Sequence, residues 1–173
     1  MSRPAFALLL ISAAGLASAA APKIDHHVRW TPANAVIGTF AADKPPILTI
    51  KSGQTVQIDT GGGNGWQRDN QDPAAWLKAN GITNAADFPA VAETVEVLAK
   101  AKRYGGIESG HLMVGPIAIE GALPGDSVEI RIHSVKPRIP YGTTGRTPGR
   151  SLRPYEGARP AAKVTPLDLA RNV

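Results

Sequence analysis

The chain has 173 residues, 19 Lys and Arg against 14 Asp and Glu, a formal charge of +5, and no cysteine. The missing cysteine excludes disulfides, thiolate metal sites and a cysteine nucleophile, so a folded domain must rest on core packing alone. Beyond the first residues no apolar run is long enough to cross a bilayer as a helix, so no membrane-spanning helix is expected there.

Residues 1–21 read as an export signal. Arg3 gives a positive start, Ala5 to Leu16 an apolar run too short to span a membrane, and Ala17-Ser18-Ala19 a small-x-small cleavage pattern. Residues 22–173 then have the length of a single domain, exported to the periplasm or secreted, and soluble once the signal is removed.

In "IDHHVRW" a first strand is expected around Val28 to Trp30. The next signal is stronger. Ile47–Ile50 and Thr55–Asp59 flank Ser52-Gly53, the pattern of a β-hairpin. Val56 and Ile58 face one side of the second strand, Gln57 and Asp59 the other. "GGGNGW", Gly61 to Trp66, follows a strand, but no Gly-Lys-Ser/Thr comes after it and no helix is expected to open there. A flexible turn or a close approach of backbone to a ligand is the expectation.

From residue 72 the period changes. Asp72 as N-cap, Pro73 at N1 and Gly81 as stop define a helix over Pro73 to Asn80. Val91, Val95 and Leu98 recur at i, i+4 and i+7 after Pro89, which predicts an amphipathic helix to about Lys102, closed by Gly105-Gly106. Glu93, Glu96 and Lys100 fall on its outer face, with Glu96 and Lys100 spaced for an ion pair. The β pattern then resumes in "HLMVGPIAIEGALPGDSVEIRI", His111 to Ile132. Ile117 and Ile119 lie on one strand, Pro124-Gly125-Asp126 makes a turn, and Val128, Ile130 and Ile132 alternate with Glu129, Arg131 and His133. A hairpin is expected. Lys136 to Lys163 carries seven Lys/Arg against one acid, Glu156, with five of the fifteen prolines, and reads as a solvated extended arm or a protein contact. The export signal argues against nucleic acid as its partner. The fold class expected is therefore mainly β, of a β-sandwich or barrel-like kind, with a helical insertion around residues 72–103.

Chemistry-bearing residues are few. His26 and His27 are adjacent, so on a strand they point to opposite faces. One of them, Asp59 and His111 have the residue types for a two-nitrogen, one-oxygen metal site with an open position, as a catalytic zinc requires. Glu120 at a strand end is a candidate general acid or base, and equally a solvated terminus. No Gly-x-Ser-x-Gly elbow supports a serine nucleophile.

"HVRW" (His27 to Trp30), "LTIKSGQTVQIDT" (Leu48 to Thr60), the His111–Ile132 stretch and "RIPYG" (Arg138 to Gly142) together resemble the acetamidase/formamidase family. Gly-Pro, then Glu-Gly-Ala, then Pro-Gly-Asp is the most specific string. Met113-Val114 stands where the family pattern has Leu-Thr, and Leu123 where it has Glu. The resemblance implies hydrolysis of a short linear amide, formamide or acetamide, to carboxylate and ammonia. It implies zinc, with His27, Asp59 and His111 as metal or substrate contacts and Glu120 in acid–base work. It also implies a C-terminal half with a histidine and a Gly-Asp-Gly-Glu-like string, which has no counterpart before Val173, so "LDLARNV" reads as an element just begun. Two expectations stand together: an amidase or its N-terminal portion, and a non-catalytic exported β-module that binds a partner. A small amide is the expected ligand, and assembly of identical copies stays open.

Overall fold

Turn chemistry and β-propensity set the short strands of this chain, but their partners lie far along it. The computed structural model describes residues 22–69, 71–107, 110–146 and 161–171. The expected signal segment and half of the basic, proline-rich stretch lie outside them. Strands β1 (His26–Val28), β2 (Ala35–Ile37), β3 (Leu48–Ile50) and β4 (Val56–Ile58) come first. Helices α1 (Gly65–Asp69), α2 (Pro73–Ala79) and α3 (Pro89–Lys100) follow, with a 3-10 turn at Ala85–Asp87. Strands β5 (Leu112–Val114), β6 (Ile117–Ile119), β7 (Tyr141–Arg146) and β8 (Ala161–Pro166) complete the order.

The strands pair two by two: β1 with β4 and β3 with β6 in parallel, β2 with β5 and β7 with β8 antiparallel. Helix is nearly as abundant as strand, and among the described residues no sheet closes into a barrel. The fold is thus a mixed one built on small sheets.

Two hairpin expectations are corrected. The Ser52-Gly53 turn forms, with Gly53 at φ 85° and Gln54 N–H donating to Lys51 O. Its arms nevertheless part, because β3 takes Ile117–Ile119 as partner and β4 takes His26–Val28. The Pro124-Gly125 turn also forms, with Asp126 N–H on Leu123 O and Leu123 N–H on the Asp126 carboxylate. The alternating run Val128–Ile132 beyond it joins no sheet among the described residues. Turn residues encode the bend; pairing is decided by what each strand face can bury. The first strand also begins two residues earlier than expected, because Asp25 and His26 N–H groups both reach Thr55 O and pull that end onto β4. The Thr55 N–H, with Lys23 beside it, in turn holds the Asp25 carboxyl below its usual range.

The helices follow their caps. Asp72 Oδ1 accepts the Ala75 N–H at 2.8 Å, Pro73 occupies the first turn, and Gly81 at φ 82° ends α2. In α3 the buried stripe is Ala90, Val91, Thr94, Val97 and Ala101, with Leu98 beside it, while Val95 is exposed. The stripe expected through Val95 is therefore rotated by about one residue, as the two cores described next require. Lys100 and Glu96 form the anticipated ion pair at 3.0 Å.

One core gathers Trp66, Trp76, Leu77, Ile82, Val91 and Tyr141. The Trp66 and Trp76 rings meet edge to face at 6.2 Å. The second core holds Trp30, Ala35, Ile37, Val97 and Ala101. Leu98 packs against both, so α3 joins them. The start of the basic stretch is no free arm: β7 pairs with β8, and Tyr141 is fully buried in the first core.

Candidate functional site

The parallel register of β1 on β4 sets His27 beside Gln57. Directly opposed residues share a face, and Asp59, two positions on, lies on that face as well. The Asp59 N–H donates to Val28 O at 2.9 Å and holds the carboxylate at the end of the ladder. His27 Nε2 consequently lies 2.9 Å from Asp59 Oδ2 and 3.2 Å from Gln57 Nε2. His26 points to the opposite face, where its Nε2 meets Gln54 Oε1 at 3.2 Å. That part of the expectation holds: the two histidines cannot share a site.

The two contacts of His27 require different tautomers. Donation to Asp59 needs the proton on Nε2, whereas accepting from the Gln57 amide needs it on Nδ1. A hydrogen bond to a carboxylate is the stronger of the two, so the Nε2–H form is favoured. Its Nδ1 lone pair has no protein partner among the described residues. The His27 side chain is 38% exposed and that of Asp59 17%, so the dyad opens to solvent on the histidine side.

Arg138 closes the other side. One guanidinium nitrogen donates to Glu93 Oε2 at 2.6 Å and stands 3.7 Å from Asp59 Oδ2, and another donates to Thr60 O at 3.0 Å. The network thus runs from β1 through β4 to the outer face of α3, with Arg138 between two carboxylates. Trp30, two residues past β1, is buried, and its indole N–H finds no acceptor among the described residues. The Gly61 backbone packs against that indole: a Cβ on Gly61 would collide with the Trp30 ring at Nε1. Gly63, at φ 71°, packs the same way on Ile139 and Tyr141. The glycine-rich string is a close approach of backbone to the chain's own aromatic rings. Contrary to expectation, a helix does open there, five residues long from Gly65.

The other expected site residues lie elsewhere. His111 is exposed at the start of β5, where its carbonyl accepts the Gly38 N–H. Glu120 is exposed just past β6, its N–H on Ile50 O extending the β3–β6 ladder. Among the described residues no three His, Cys, Asp or Glu side chains are grouped so as to hold a metal ion. His27 and Asp59 make a two-ligand pair that His111 does not join, so the zinc set expected from the resemblance is not assembled by these residues. Gln57, Glu93 and Arg138 escaped the sequence reading. Gln57 could have been found, two positions before Asp59 on the same strand; Glu93 and Arg138 carry no local signal, because their meeting is tertiary.

Comparison with known proteins yields no relative: no family model, no curated protein and no solved structure matches the chain.

Proposed function

We propose that the chain is a hydrolase of short linear amides, of the formamide and acetamide type, in which His27 oriented by Asp59 handles the proton of the attacking water. The 2.9 Å contact between His27 Nε2 and Asp59 Oδ2 carries this reading. The strings that resemble the acetamidase/formamidase family support it, since both residues fall within them. With Nε2–H committed to Asp59, Nδ1 takes a proton from water as its oxygen attacks the amide carbon. Collapse of the tetrahedral intermediate breaks the C–N bond, and the departing nitrogen takes a proton to leave as ammonia. The His27 imidazolium formed in the first transfer supplies that proton, so both transfers balance on one side chain; Glu120, to which the resemblance gives this role, stands past β6, away from the dyad. No step is routed through a metal. The reading carries with it export directed by residues 1–21 and a β-sandwich-like grouping of the small sheets.

Ammonia release from formamide and acetamide by the purified chain, with and without added zinc, is the test. Release that falls about 100-fold or more in His27→Ala is expected. No release from either amide under either condition, or full activity in His27→Ala, refutes the proposal. A second reading, a non-catalytic exported module that binds a partner, is favoured by one observation: Val128, Ile130 and Ile132 are exposed side by side.

A further inference from the structure

Val128 to Ile132, beyond the Pro124-Gly125 turn, have the alternation of a β-strand but join no sheet among the described residues. Val128, Ile130 and Ile132 alternate with Glu129, Arg131 and His133, and no proline interrupts Asp126 to Val135. The three apolar side chains are 58%, 80% and 76% exposed. Backbone groups from Val128 to Ile132 make no hydrogen bond among the described residues. The Arg131 Nε donates to Glu129 Oε1 at 2.6 Å, so these two charges sit together, as residues two apart on one face of a strand do.

We propose that this segment docks a second copy of the chain, pairing antiparallel with its own counterpart about a two-fold axis at Ile130. Charge decides both the occupant and the register. Centred on Ile130, Glu129 faces Arg131 of the second copy, and Arg131 faces its Glu129. Val128 faces Ile132, and Ile130 faces itself, so one side of the ribbon is wholly apolar and the other alternates in charge. A centre at Glu129 or at Arg131 sets like charges directly opposite. A parallel pairing in register does the same at both positions. A slip of one residue sets apolar side chains against charged ones. One arrangement therefore satisfies both faces, and it is self-complementary, as a two-fold interface must be. A single added strand pair belongs to the small interfaces, under about 1,200 Å², whose complexes are transient. The inference stands whether or not the chain hydrolyses amides.

Sedimentation of the purified full chain over about 1 to 100 µM, the range expected of a weak interface, reads the association. A mass that rises from one copy to two is expected, with hydrogen-exchange protection of residues 128–132 rising in step. Glu129→Arg sets arginine against arginine and should weaken association about tenfold or more. The double variant Glu129→Arg, Arg131→Glu restores opposite charges and should recover it. Ile130→Lys should abolish it. A chain that stays single at all concentrations, a Glu129→Arg variant that associates as well as the parent, or a double variant as weak as the single one overturns the proposal. So does protection of residues 128–132 that is independent of concentration, because the strand is then paired within its own copy.

Discussion

Gly61 and Gly63 stand where a side chain would collide with an aromatic ring, Trp30 in one case and Tyr141 in the other. The Trp30 indole cannot withdraw, being buried between β2 and α3 in the second core. Gly61→Ala should therefore destabilise the domain by about 2 kcal/mol or more through overpacking. Gly62→Ala, which meets nothing within 4 Å, serves as its control. Urea unfolding of the two variants checks the difference. The string Gly61-Gly62-Gly63 reads in the sequence as a flexible turn or a close approach to a ligand, and the structure gives a close approach to the chain's own side chains instead. Which side chains these are was not legible, because Trp30 and Tyr141 are remote in the chain. The same holds for the dyad: Asp59 at a strand end was legible, and so were the opposed faces of His26 and His27. That His27 rather than His26 meets Asp59 depends on the β1–β4 register, which no local pattern states.

At the scale of elements, α3 has the largest consequences. Its buried residues serve both cores, and Leu98 touches each. Leu98→Ala should cost about 2–4 kcal/mol, whereas Val95→Ala, on the exposed side, should cost well under 1 kcal/mol. Thermal or urea unfolding separates the two, and equal losses would return the apolar stripe to Val95. The helices were the readily legible part of this fold, since caps such as Asp72 and stops such as Gly81 act over a few residues. The strands were legible as strands but not as pairs. Ser52-Gly53 turns the chain whichever partner its arms choose, and both arms choose distant ones. The buried stripe of α3 was misplaced for a related reason: Val91 and Leu98 fit a helical period with Val95, but Val97 faces the second core, whose existence no short window reveals.

Over the whole molecule, Tyr141 ties the C-terminal strands to the helices, and its ionisation reports on the integrity of that union. Burial pushes its phenol from the ordinary 10.0 up to about 12, and the hydroxyl donates to Gly63 O at 3.3 Å. Between those pH values the folded chain keeps a proton that the unfolded chain has released. The associated stability is fully present below the lower value and is lost as pH rises toward the higher one. Its size is on the order of 2 kcal/mol. Stability measured from about pH 9 to 12 should fall in the parent chain and fall less in Tyr141→Phe. That variant should also lose about 1 kcal/mol at neutral pH with its hydrogen bond. An unchanged alkaline slope would mean that the phenol is already solvated.

The pairing of Leu48 with Ile117 and of Ala35 with Val114 also governs how fast this chain reaches its structure. Each of these ladders must wait until the entire helical block between its strands has been brought round, and the loop entropy comes due before the first ladder bond forms. The helices, bounded by local caps, can form within microseconds, while the β2–β5 and β3–β6 ladders close late. The polar pair, held by β1 and β4, both of which precede that block, can assemble ahead of them, and a chain emerging from synthesis carries β2 and β3 unmatched until residues 112–119 have been delivered.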